Sequence, residues 1–124
     1  MINTVAERVN RVVIREITKN NKPYIQFDFT GYLDHPEAMK GIEAWRALMK
    51  DTGRKDLIYN CKDMTGFDST ARQLWQAMMK EYKPRIGNIW MISDNRFILA
   101  AAKTMGVLSG FSIKTARSLD DIKN

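Results

Sequence analysis

The chain reads as an α/β domain: a mixed, mostly parallel sheet of about five strands with helices packed on it. Three observations predict this. Short apolar runs alternate along the chain with segments of helical spacing. Helix-start signals at Asp34, Asp68 and Ser93-Asp94-Asn95 each follow a strand-like run. Two strand-like runs near the beginning are separated only by a turn signal, which predicts a hairpin. Strands alternating with helices imply a parallel or mixed sheet, and right-handed crossovers are expected to place helices on its faces. At 124 residues the whole span 1–124 is expected to be one domain with a substantial core.

The first strand is expected within Val5–Ile17, where Val12-Val13-Ile14 is β-branched. Asn20-Asn21-Lys22-Pro23 reads as a turn. Tyr24 to Thr30 then alternates, with Ile25, Phe27 and Phe29 on one face and Gln26, Asp28 and Thr30 on the other, so a half-buried strand is predicted. Asp34 with Glu37 three residues on has capping-box spacing, and Pro36 suits a first turn. Ala38, Ile42, Trp45 and Met49 recur at helical spacing to a stop near Asp51-Thr52-Gly53.

Leu57–Cys61 lacks alternation, as expected of a central strand buried on both faces. A turn is predicted at Gly66, then a helix from Ser69 to about Tyr82, capped by Asp68 and stopped by Pro84. Its predicted inner face is Ala71, Leu74, Trp75, Met78 and Tyr82. Ile89–Ile92 is a further interior strand. A third helix follows with Phe97, Ile98, Ala101, Ala102 and Met105 inward, closing near Gly106 or Gly110. Phe111-Ser112-Ile113 is the last expected strand, and Ser118 with Asp121 has the spacing to open a short terminal helix.

Hydrophobic content of 44% and charged content of 27% are ordinary for a soluble globular chain. No apolar run approaches the roughly 20 residues of a membrane span, and Met1 to Arg8 lacks the apolar core of a secretory signal. Cys61 is the single cysteine, which fits a reducing cytoplasm and excludes a cysteine cage for a metal. The net charge of +6 raises nucleic acid as a partner, but the basic residues are scattered and no strand interleaves them with aromatics. No nucleic-acid binding is therefore expected.

His35 is the lone histidine and reads as a surface or capping residue. Cys61 reads as a small core residue. No glycine-rich phosphate loop or Gly-x-Ser-x-Gly elbow occurs. Asp63 and Asp68 flank one turn and are accounted for by capping and solvation. Nothing argues for an enzyme, a cofactor or a metal. Ser69 and Thr70 fall in a first helical turn, where backbone N–H groups lack intrahelical partners and negative charge is favoured. They read either as part of a capping cluster or as exposed hydroxyls tolerant of phosphate. Trp75, Met78 and Met79 read as core or, where exposed, as an adaptable partner surface.

Thr30-Gly31-Tyr32-Leu33-Asp34-His35, then Leu57-Ile58-Tyr59-Asn60, then Phe67-Asp68-Ser69-Thr70-Ala71 resemble the STAS domain, the family of anti-sigma factor antagonists also found in sulfate transporters. The first segment is similar to the family's Thr-Gly-x-Leu-Asp turn. The last is similar to its Asp-Ser-Ser/Thr-Gly helix start, with Ala71 standing where the family has Gly. The resemblance implies a non-enzymatic, cytoplasmic signalling module that binds a protein partner of the kinase and anti-sigma factor kind. It implies a phosphorylation switch at Ser69, with Thr70 as second acceptor and Asp34 and Asp68 in support. Divergent relatives suggest an alternative, a carrier of a small apolar molecule or lipid. Candidate walls are Trp75, Met78, Trp90, Phe97 and Met105.

Overall fold

The hairpin that opens the structure is made by two asparagines. Asn20 and Asn21 both take positive φ, 55° and 62°, as a two-residue turn of the type matched to strand twist requires. Lys19 and Lys22 pair across it, so Pro23, expected in the turn, lies instead near the start of the second strand. The computed structural model describes residues 10–50 and 53–122. The expected strand portion at 5–9 and the helix end at Asp51 and Thr52 lie outside the described residues.

Five strands and three helices are present among the described residues. They are β1 (Arg11–Lys19), β2 (Lys22–Leu33), α1 (His35–Leu48), β3 (Lys55–Phe67), α2 (Ser69–Glu81), β4 (Ile86–Ile92), α3 (Arg96–Ser109) and β5 (Ile113–Ala116), with short 3-10 turns at Lys83–Arg85 and Leu119–Asp121. The last of these replaces the expected terminal helix, and Ser118 makes no capping hydrogen bond there. The sheet runs β1-β2-β3-β4-β5, antiparallel between β1 and β2 and parallel thereafter.

Strand order equal to chain order has a direct consequence. Each right-handed crossover moves the same way across the sheet, so every helix lands on the same face. Trp45 of α1, Trp75 of α2 and Ile98 of α3 accordingly share one core with Phe27, Tyr59, Met91 and Ile113. The helices expected on the sheet's faces thus all lie on one of them. The second face carries a smaller cluster, Tyr24, Ile58 and Ile92, covered by Ile122 just beyond the terminal 3-10 turn. That cover makes β3 buried on both sides over 56–59. It also makes β2 continuously buried over Tyr24–Phe27 rather than half-buried, including Gln26, whose amide donates to Asp28 Oδ1 at 2.8 Å.

β3 is longer than expected. Pairing with β2 continues past Cys61 to Leu33↔Phe67, with two register shifts on the way. Gly66, expected as the turn, therefore stays within the strand. On the helix face, Phe27 is ringed edge-on by Trp45 at 4.9 Å, Tyr59 at 4.8 Å and Trp75 at 5.8 Å. Phe97 is the misassigned core residue: it is 87% exposed, and α3 instead turns Ile98 and Ala102 inward. On α2, Met79 is buried, while Leu74 and Tyr82 are half-buried.

Gly41 lies where α1 crosses close to α2 and β1. A Cβ there would stand 2.7 Å from the Trp75 ring and 2.8 Å from a Val12 methyl. Gly41→Ala improves helix propensity by about 1 kcal/mol, yet forces a packed indole to move. The net effect expected is a loss of roughly 1–3 kcal/mol, measured by urea unfolding; a more stable variant would show that Trp75 yields freely.

Candidate functional site

The carboxyl ends of β2 and β3 lie side by side and end in register, Leu33 against Phe67. The next residue of each chain segment is an aspartate that caps a helix. Asp34 Oδ1 accepts from the Glu37 amide at 3.0 Å, and Asp68 Oδ1 accepts from the Ala71 amide at 2.7 Å. The Asp68 amide in turn donates to the Leu33 carbonyl at 3.1 Å, which ties the two helix starts together. Glu37 does not complete the expected capping box. Its carboxylate accepts from the Val12 amide at 3.2 Å and so anchors α1 to β1. Beyond β4, Asn95 Oδ1 accepts from Phe97 and Ile98 amides at 2.8 and 3.2 Å. Three helix N-termini thus follow β2, β3 and β4 along one edge of the sheet.

Ser69 and Thr70 occupy the first two positions of α2 and are both exposed. Neither hydroxyl makes a hydrogen bond within the described residues. Asp34 and Asp68 are half-buried, and their oxygens are engaged with backbone amides. His35, the first residue of α1, is exposed. Asp63 is exposed on β3 opposite Thr30. Among the described residues no group of three or more His, Cys, Asp or Glu side chains is placed to hold a metal ion.

Directly inside this edge, α2, α3 and the sheet border a partly open apolar cavity of about 50 Å³. Phe29, Tyr59, Cys61 and Met91 line it from the sheet, Trp75 from α2 and Ile98 from α3. Leu33, Ala102 and the half-buried Met64, Phe67, Arg72 and Ala101 also line it. Two buried polar atoms belong to side chains of this wall, Tyr59 Oη and Trp75 Nε1, with the Trp75 N–H interacting with the phenol oxygen. Burial pushes the Tyr59 phenol far above its ordinary range, with the Trp75 N–H pulling the other way. Burial likewise pushes the Cys61 thiol up to about 12.

The candidate apolar walls read from the sequence are therefore not brought together. Trp75 lines the cavity. Met78 borders a separate groove between α1 and α2, beside Met39 and Ile42. Trp90 packs with the cluster on the second sheet face, with Lys114 Nζ 5.4 Å from its ring centroid. Phe97 points to solvent. Met105 belongs to α3, but its side chain lies outside the described residues. The missed wall residues, Phe29, Tyr59, Cys61 and Met91, are the helix-facing positions of alternating strands. Period two marks them in β2, but only the one-sided layout says that α2 and α3 both cover them.

No family model matches the chain, and no curated protein matches it. Among solved structures it is similar to an uncharacterized protein of the DUF3478 family with a SpoIIAA-like fold from Shewanella loihica. The TM-score is 0.79 at 11% identity, over 95% of each chain. The SpoIIAA-like fold is the STAS fold, and the present chain has it. No helix among the described residues is long and apolar enough to cross a membrane.

Two outcomes test the local chemistry. Asp68→Ala should cost about 0.5–2 kcal/mol in thermal or urea unfolding, since it removes a 2.7 Å cap; Asp68→Asn should recover most of it. Cys61, protonated throughout the neutral range and buried, should resist thiol reagents in the folded protein and react on unfolding. Rapid labelling of the native protein would show that the cavity admits the reagent.

Proposed function

We propose that this domain is a non-enzymatic regulatory module that binds another protein and is switched by phosphorylation at Ser69. The observation that carries this reading is an exposed Ser69 hydroxyl, unbonded within the described residues, at the start of α2 beside the neighbouring start of α1. Phosphate there adds nearly two negative charges next to unpaired helix N–H groups, where they are favoured. Asp68 keeps its cap in either state. The fold then stays intact while the surface presented to a partner changes sign. Thr70, one residue on and equally exposed, is the second acceptor. Asp34 and Asp68 hold the two helix starts in place, and the resemblance to anti-sigma factor antagonists points to a partner of the kinase and anti-sigma factor kind.

A second reading, a carrier of a small apolar molecule, is favoured by the cavity beside Tyr59 and Trp75. Of the walls first considered, Trp75 supports it. Both readings place the protein's work in binding.

Ser69→Ala and Ser69→Asp should both fold, the aspartate gaining roughly 0.3–1 kcal/mol from the helix dipole. The two should capture different proteins from native lysate, quantified by mass spectrometry against the parent, with the Asp variant losing a partner that the Ala variant retains. Equal recovery by all three forms would remove the switch and advance the carrier.

A further inference from the structure

The cavity between α2, α3 and the sheet is apolar, partly open and about 50 Å³ in volume. That is far below the roughly 150 Å³ of a cavity that accepts benzene, and it suits the branched end of one aliphatic side chain. Met64 and Met91, which line it, are unbranched and adaptable. Small apolar pockets of this kind are where protein interfaces seat an anchor residue. Among the residues that line it, Arg72 is the one that carries a charge. It is half-buried, and its side chain makes no ion pair or hydrogen bond within the described residues. Because the wall is apolar, Arg72 lends it the methylene stem and keeps the guanidinium toward water. Ser69 precedes Arg72 by three residues in α2, so the two side chains are neighbours on one helix.

We propose that the cavity receives an aliphatic side chain of a protein partner whose adjacent carboxylate pairs with Arg72, and that phosphate on Ser69 loosens the partner by taking Arg72 for itself. The proposal rests on the switch reading and names the partner's contact chemistry and the physical step of the switch. Burial of the aliphatic group supplies most of the affinity, because an ion pair at a wet rim is weak. The same weakness makes the pair easy to displace. A phosphate brings nearly two charges and three acceptor oxygens, pairs bidentately with arginine, and is already fixed to the same helix. It therefore wins Arg72 from a partner's carboxylate. Asp68 stays with the Ala71 amide, so the fold need not move.

The test titrates three capped dipeptides, acetyl-Leu-Asp-amide, acetyl-Leu-Asn-amide and acetyl-Ala-Asp-amide, into the intact protein with isotope-labelled methionine methyl groups. Met64 and Met91 report on this cavity, and Met39 and Met78 on the groove between α1 and α2. The expected result is movement of the Met64 and Met91 signals. Leu-Asp should bind about tenfold more tightly than Ala-Asp and roughly threefold more tightly than Leu-Asn. The preference for Asp over Asn should vanish in Arg72→Gln and vanish or reverse in protein carrying phosphate on Ser69, while the preference for leucine persists in both. Followed by phosphorus NMR, the second ionisation of that phosphate should fall at lower pH in the parent than in Arg72→Gln. Equal binding of the Leu-Asp and Ala-Asp peptides, no movement with any peptide, or movement at Met39 and Met78 alone overturns the anchor. Equal binding of Leu-Asp and Leu-Asn by the parent overturns the Arg72 contact. A phosphate ionisation indifferent to Arg72→Gln overturns the capture of Arg72. Hexanoate is titrated beside the peptides, and tighter binding of it than of Leu-Asp at Met64 and Met91 replaces the protein partner with a carried acid. The switch itself is decided by the capture experiment with Ser69→Ala and Ser69→Asp, so the two readings fail separately.

Discussion

Phe27 is the contact on which the rest of the structure leans. Its ring is met edge-on by Trp45 from α1, Tyr59 from β3 and Trp75 from α2. Such pairs add roughly 0.5–1.5 kcal/mol each beyond the area they bury, but their geometric effect is larger. One side chain sets where two helices and the neighbouring strand sit relative to β2. Trp45 and Trp75 also approach each other, at 5.7 Å, and Gly41 leaves the space in which that approach happens. Phe29, next along the same face, repeats the pattern with Tyr59 and Trp75. It thereby brings the aromatic cluster up to the cavity.

The one-sided sheet explains both the exposed edge and the uneven second face. Because strand order follows chain order, the helices start from the carboxyl ends of β2, β3 and β4 and lie on the same face. Their capped N-termini line up. The other face has no helix to cover it among the described residues. Part of it is closed by Leu119 and Ile122 over Tyr24, Ile58 and Ile92. Elsewhere it is polar: Asp28 receives Gln26 and Asn60 on one oxygen and Arg15 at 3.2 Å on the other. That network satisfies Gln26 where it is buried. At the opposite edge, Asp56 accepts from the Asn88 amide at 2.9 Å and pairs with Lys22, joining β2, β3 and β4.

Ser69 and the cavity share α2. Ser69 opens the helix on its solvent side, and Arg72 and Trp75, three and six residues on, line the cavity from within. A charge placed at the first turn and a ligand placed against Trp75 would act on the same short helix. That helix is held at its start by Asp68 and through its length by the aromatic cluster. The switch and the carrier are therefore physically compatible readings of one element.

What the sequence by itself determined is local. Asp34, Asp68 and Asn95 cap their helices as the residue types demand, because a cap bond spans only two or three residues. Alternation in β2 correctly placed Ile25, Phe27 and Phe29 on one face, because period two is a property of the backbone. The element order and the α/β class followed from these. Tertiary structure decided the rest. Gly66 stayed in β3 because pairing with β2 continued to Phe67. Phe97 faced outward because its stripe on α3 was wide enough to turn either way, and packing chose Ile98 and Ala102. Trp90 went to the second face because β4's register with β3 and β5 sets its pleat. Phe29, Tyr59, Cys61 and Met91 became one cavity wall only when strand order put β2, β3 and β4 side by side under α2 and α3. Caps and periodicity are written within a few residues; strand order and the choice of helix face are settled by contacts between residues far apart in the chain.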